Sequence, residues 1–189
     1  MSSKIELRDI IKNNYMHEGK FKLSSGHVAT RYFDIKGLMG HSLHSSLLLF
    51  ELAGLIENTF VDDDIGSIGG IEFGGAIIAA AFPYNKNTCY IRKADKNHGM
   101  KKRIEGIPKS PILILDDVIW SGNTTLNAVA ACFKAGYKVK AIICVVNRNQ
   151  DWLKDNKMDV SRTWSLCGET ISDKKEYPIY SLFKESDFE

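Results

Sequence analysis

The sequence predicts an α/β domain with a central, mainly parallel sheet flanked by helices. Two continuous apolar runs, PILILDD and KAIICVVNR, read as strands covered on both faces, and a helical segment separates them. Upstream, IGSIGG leads through a glycine-rich stretch into the small-residue helix GGAIIAAAF, so strand and helix alternate along most of the chain. At 189 residues and 44% hydrophobic, the chain suffices for one domain with an ordinary core, spanning 1–189.

Taken in order, Ile5, Leu7, Ile10, Ile11 and Tyr15 recur at helical spacing, and Gly19 is a stop, which predicts a helix over 4–17. Short extended segments follow at 21–23 and 31–35, around a Ser-Ser-Gly turn. Ser42 can cap a leucine-rich helix over 43–58. A strand at 65–68, a glycine-rich loop, a helix at 74–82 and a strand at 88–91 come next. RKADKNHGMKKRIEG has no apolar periodicity and reads as a loop. The strand 112–116 ends in Asp116 and Asp117, helix 124–135 ends at Gly136, and a strand occupies 140–146. The tail 151–189 is polar and mixed, with room only for short elements.

The bulk numbers exclude several function classes. A net charge of +2 does not argue for nucleic acid or a membrane surface. No apolar run reaches the roughly 18–20 residues of a membrane span, and the N-terminus is amphipathic and mixed in charge. Cys89, Cys132, Cys144 and Cys167 lack metal-ligand spacing, so reduced thiols in a cytoplasmic protein are expected.

Ligands of open parallel sheets bind at the carboxyl ends of the strands. GGIEFGG, RKADKNHG, DDVIWSGNTT and Asn147-Arg148 all fall at such ends. Ser121, Gly122, Asn123, Thr124 and Thr125 lie between a strand and a helix, where backbone N–H groups and the helix dipole make an anion cradle. The same residues also serve as a simple N-cap. Asp116 and Asp117 just upstream suit the hydroxyls of a sugar, and a ribose 5-phosphate would occupy both halves. Direct Mg²⁺ binding is the alternative for the two carboxylates. The glycines of GGIEFGG could expose amides to a pyrophosphate or simply allow close helix packing. The basic loop, with Arg92, Lys93, Lys96, Lys101, Lys102 and Arg103 around His98 and Gly99, could close as a lid over a pyrophosphate leaving group, or be a solvated or nucleic-acid-contacting loop. Against nucleic acid, no aromatic residues are interleaved with its charges.

These residues carry a resemblance. DDVIWSGNTT, with the apolar strand before it, resembles the phosphoribosyl-pyrophosphate-binding motif of type I phosphoribosyltransferases. GKFKLSSGHVATRYFD is similar to the N-terminal segment of orotate phosphoribosyltransferases, RKADKNHG to their catalytic loop, GGIEFGG to their pyrophosphate loop and SLFKESDF to their C-terminal segment. The resemblance implies the type I phosphoribosyltransferase fold: a core over roughly 41–150, a small hood from roughly 1–40 and 160–189, and a flexible catalytic loop.

The activity it implies is transfer of the phosphoribosyl group from phosphoribosyl pyrophosphate to orotate, giving orotidine 5′-monophosphate. Mg²⁺ would be held mainly through the substrate pyrophosphate, with no direct protein ligand. Lys96, His98 and Asp117 would be catalytic. Arg92, Lys93, Lys96, His98, Asp116, Asp117, Ser121, Gly122, Asn123, Thr124 and Thr125 would bind phosphoribosyl pyrophosphate. Tyr32, Phe33 and Arg148 would bind orotate, with Arg148 on its carboxylate. A homodimer sharing the loop across subunits is implied.

The sequence departs from the family pattern at Ser24 and Phe73, where lysine is frequent, at Glu72 and Asn147, and at Trp120, which replaces a threonine. Two alternatives follow from these departures: a phosphoribosyltransferase for another base, or a catalytically inactive phosphoribosyl-pyrophosphate- or nucleotide-sensing regulator. Arg148 argues against the first and the RKxxKxH pattern against the second.

Overall fold

The computed structural model describes residues 2–22, 28–60, 64–82, 85–93, 102–149, 157–159 and 176–189. Helix α1 (Ser3–Ile10) passes into a π-helical turn (Ile11–Tyr15) and then into strand β1 (Met16–Lys22), so the first helix is shorter than its apolar spacing suggests. The chain leaves the helix there because β1 pairs antiparallel with β2 (Val28–Phe33), and the Tyr15 carbonyl accepts from the Asp34 N–H at 2.7 Å. Helix α2 (Ile35–Met39) follows, capped by the Asp34 carboxylate, which accepts from the Gly37 N–H at 3.0 Å. Helix α3 (Ser42–Thr59) has His41, not Ser42, at its N-cap.

Strand β3 (Ser67–Ile71), helix α4 (Glu72–Ala81), strands β4 (Asn87–Ile91), β5 (Ile104–Gly106) and β6 (Ile112–Ile119), helix α5 (Asn123–Lys134) and strand β7 (Val139–Asn147) continue the alternation. Strands β8 (Lys157–Asp159) and β9 (Glu176–Lys184) and a 3₁₀ turn (Glu185–Phe188) close the chain. The central sheet runs β5-β4-β3-β6-β7-β9-β8, parallel from β4 to β9 and antiparallel at both edges. β9 is thus a strand of the core sheet, although its residues fall in the stretch the sequence reading gives to the hood. The Glu185–Phe188 turn packs back on β2, with the Phe188 ring 4.9 Å from that of Phe33.

Period-2 alternation on β6 builds two cores. Leu113 and Leu115 join the cluster with α1, α2, α3 and α4, whereas Ile112 and Ile114 join the one with α5. Cys89, Cys132 and Cys144 are buried and free; burial raises their thiol pKa values, to about 11 for Cys89 and about 12 for Cys132. Cys167 lies outside the described residues. Among the described residues no helix is long and apolar enough to cross a membrane.

Candidate active site

From β3 the chain crosses by α4 to β4 on one side, and from β6 by α5 to β7 on the other. The carboxyl ends of β3 and β6 therefore flank the point where strand order reverses, the usual ligand crevice of such sheets. A cavity of about 540 Å³ opens there. Its lining brings together Tyr32, Phe33, Lys93, Asp116, Asp117, the turn from Trp120 to Thr125, and Arg148.

β6 does not end at the aspartates. Its pairing with β3 stops at Leu115, but Val118 and Ile119 still pair with Val146 and Asn147 of β7. The two aspartates sit where β3 has left the sheet, and their side chains accept from the next backbone N–H groups: Asp117 N to Asp116 Oδ1 at 3.0 Å, and Val118 N to Asp117 Oδ1 at 2.9 Å. Being adjacent on a strand, they face opposite layers. Asp116, 7% exposed, accepts from the Thr125 hydroxyl of α5 at 3.2 Å. Burial, reinforced by the neighbouring Asp117, pushes its pKa well above the usual carboxylate range.

Asp117 faces the other layer, where its Oδ2 lies 3.1 Å from the Lys36 ammonium. Burial works against the charge on Lys36, but the charge and hydrogen bond of Asp117, with a smaller contribution from Tyr32, outweigh it and raise the lysine pKa. Gly74 in the first turn of α4 makes room for this carboxylate, because a Cβ there would lie 2.2 Å from Asp117 Oδ2.

The glycine-rich stretch is not a loop: β3 passes directly into α4 at Glu72, whose φ of +49° is in the left-handed region. Gly70 and Gly75 serve close packing, since a Cβ on Gly70 would meet the Gly75 carbonyl at 2.3 Å and one on Gly75 the Leu115 carbonyl at 2.2 Å. That is the packing alternative of the sequence reading. Phe73 is 67% exposed.

At the start of α5 the N-cap is Gly122, with φ +76° and no side-chain capping bond. Ser121, Thr124 and Asn123 therefore leave the first-turn N–H groups open toward the cavity, and the helix dipole adds positive potential.

Arg148 is placed by its N–H donating to the Ile119 carbonyl at 2.8 Å. Its side chain, only 3% exposed, donates from Nη1 to the Arg31 carbonyl at 2.8 Å and from Nη2 to Glu185 Oε1 at 2.7 Å. Its guanidinium carbon lies 4.1 Å from the Trp120 ring centre and 5.4 Å from that of Phe33. Nε is buried with no partner. Trp120, unexplained by the sequence, is the stacking partner of this arginine.

The basic segment is only partly described. Arg92 turns away from the cavity lining, its Nε donating to Glu105 Oε1 at 2.7 Å across the β4–β5 pair. Lys93 reaches the lining. Lys96, His98, Gly99 and Lys101 lie outside the described residues, as does Ser24. Lys36 and Glu185 are absent from the sequence-based site, because they belong to short elements without periodicity; the local signals were the Asp34 cap before Lys36 and the SLFKESDF resemblance around Glu185.

Among the described residues no group of three or more His, Cys, Asp or Glu side chains is placed to hold a metal ion. Asp117 is the carboxylate most available to an ion arriving with a ligand, because Asp116 is buried against Thr125.

No family model matches the chain. It is 32% identical over 154 residues to an orotate phosphoribosyltransferase of Corynebacterium glutamicum, covering 78% of this chain and 82% of that one. An orotate phosphoribosyltransferase of Aquifex aeolicus is 30% identical over 179 residues, 90% of this chain and 87% of the relative. Among solved structures, Mycobacterium tuberculosis orotate phosphoribosyltransferase in complex with 5-phospho-α-D-ribosyl 1-diphosphate superposes over 99% of both chains, with a TM-score of 0.65 at 20% identity. Identity of that order speaks for the shared fold, and the two curated relatives carry the assignment further: the chain belongs to the orotate phosphoribosyltransferase family.

Proposed function

We propose that the protein transfers the 5-phosphoribosyl group of phosphoribosyl pyrophosphate to orotate, forming orotidine 5′-monophosphate and pyrophosphate in pyrimidine nucleotide synthesis. The observation that carries this reading is the sharing of one cavity by an uncapped helix N-terminus, two carboxylates and a buried arginine with an unmet donor. These match, in turn, a 5-phosphate, ribose hydroxyls and a carboxylate on the base. A neutral base offers no carboxylate to the Arg148 Nε.

In this reading the N–H groups and hydroxyls of Ser121–Thr125 hold the 5-phosphate. Asp117 exchanges Lys36 for a ribose hydroxyl, and Asp116 holds its neighbour from the α5 side. Tyr32 and Phe33 border the base. As the bond from the anomeric carbon to pyrophosphate breaks, positive charge develops on the ribose ring, and the nearby carboxylates favour it. Mg²⁺ would be held mainly through the substrate pyrophosphate and would supply charge neutralisation of the leaving group. Lys93, Lys96 and His98 supply positive charge to the same leaving group. Arg92, turned from its own cavity, serves the site of a second subunit, and the enzyme works as a homodimer in the cytoplasm. Positioning supplies most of the rate, because the orotate ring needs no strong base.

The test is incubation of purified protein with phosphoribosyl pyrophosphate, Mg²⁺ and a panel of bases. Orotidine 5′-monophosphate should form from orotate, and chelation of the metal should abolish it. Turnover of a purine or uracil in place of orotate would assign another base, and ligand-induced stabilisation with no turnover would assign a sensor.

A further inference from the structure

Arg148 is held more firmly than contact with a ligand alone requires. Its guanidinium is a rigid plane carrying five N–H donors. Two in-plane anchors come from separate elements, the Arg31 carbonyl on β2 at 2.8 Å and Glu185 on the terminal 3₁₀ turn at 2.7 Å. The two anchors fix the rotation of the guanidinium within its plane, and the Trp120 ring 4.1 Å away fixes the tilt of that plane, so the direction of the unpartnered Nε is fixed as well.

The turn that delivers Glu185 is itself anchored. The Asp187 carboxylate accepts from the Lys184 N–H at 2.8 Å, and Phe188, 1% exposed, packs on Phe183 as well as on Phe33. The Phe33 that receives Phe188 is also the ring beside the guanidinium. Glu185 therefore rides on a packed element, with only 17% of its side chain exposed. The Arg–Glu pair is close to neutral as a unit, so its attraction for another carboxylate comes from an oriented N–H and not from net charge.

We infer that Glu185 is a positioning residue for base selection: it holds Arg148 so that Nε meets the carboxylate of the pyrimidine and discriminates against bases that lack one. This rests on the orotate reading of the cavity. The opposite role is physically available, with Glu185 occupying Arg148 as a competitor that the base must displace; removing its charge would then improve binding.

Orotidine 5′-monophosphate and uridine 5′-monophosphate differ only by that carboxylate, so the ratio of their dissociation constants isolates its recognition from the phosphoribosyl half. The ratio should favour orotidine 5′-monophosphate in wild type and fall about tenfold or more in Glu185→Ala, the loss of one well-placed charged hydrogen bond. Glu185→Asp, which keeps the charge but shortens the reach, should show the same collapse and guards against an alanine variant that fails to fold. Glu185→Gln, whose amide oxygen still accepts from Nη2, should stay within about threefold of wild type. Uridine 5′-monophosphate should bind all folded variants alike.

Equal loosening of both nucleotides would reduce Glu185 to a structural role, and tighter orotidine 5′-monophosphate binding in Glu185→Ala would establish the competitor; either overturns the inference. A wild-type protein that makes no orotidine 5′-monophosphate and shows no preference between the nucleotides overturns the base assignment beneath it.

Discussion

Gly74→Ala introduces one methyl group at the point where α4 meets Asp117. The added Cβ would stand 2.2 Å from Oδ2 and 2.3 Å from Cγ of the Asp117 carboxylate, against an ordinary contact of 3.4 Å or more. The carboxylate must therefore retreat by about 1.2 Å, or the first turn of α4 must lift by as much, because packed interiors have no slack of that size. A displacement of roughly 1 Å in a positioning group costs on the order of 10²-fold in rate. Overpacking at such a site costs about 1–3 kcal/mol, or roughly 2–12 °C in Tm for a domain of this size.

Gly54→Ala is the matched control. It lies in the interior of α3 with nothing within 4 Å of the new Cβ, so it should gain about 0.5–1 kcal/mol and leave turnover unchanged. Steady-state turnover of orotate and thermal unfolding, measured on both variants, separate the two effects. If Gly74→Ala retains turnover within about threefold of wild type, α4 does not set the position of Asp117, and the account of the glycine is refuted.

Asp116→Asn should raise Tm at neutral pH while abolishing most turnover. A carboxyl whose folded pKa lies above its unfolded value of about 4 contributes its stability below that pH and loses it as pH rises toward the folded value. The gap in Tm between Asp116→Asn and wild type should therefore close toward pH 4; a gap independent of pH would count against a raised pKa for Asp116. Lys36→Met breaks a partly exposed ion pair and should change stability by no more than about 1 kcal/mol, yet raise KM for phosphoribosyl pyrophosphate by severalfold. An unchanged KM would make Lys36 a bystander. If the basic loop is shared between subunits, mixing inactive Lys96→Ala with inactive Asp117→Asn protein should restore activity through hybrid dimers. No recovery, after exchange confirmed by light scattering with tagged subunits, would confine each site to one chain.

What could be read from the chain alone followed from covalent neighbourhood. ILIL and AIICVV announce β6 and β7 because a strand covered on both faces is apolar at every position. β9 was illegible: Tyr177, Ile179, Leu182 and Phe183 are buried, but polar residues interrupt them, and the strand exists because β7 offers it a parallel edge. α2 has five residues, too few for periodicity, and the helical spacing of the N-terminus runs on past Ile10 into a π turn that the β1–β2 pairing terminates. In the site, the aspartates and SGNTT were visible as one contiguous word. Their partners were not: Lys36 lies 81 residues from Asp117, and Glu185 lies 37 from Arg148. Trp120 looked foreign to the phosphate motif because the arginine it stacks on arrives just past the end of the neighbouring strand.

The opposite-facing aspartates of β6 also have a mechanical consequence. One is tied to α5, the other to α2 and the first turn of α4, so the two carboxylates reach through the sheet like the ends of a rivet. A sugar whose neighbouring hydroxyls engage both ends would couple the helical layers on the two faces of the sheet. Amide hydrogen exchange should then slow together in α2 and α5 when phosphoribosyl pyrophosphate binds, although the two helices lie on opposite faces of the sheet.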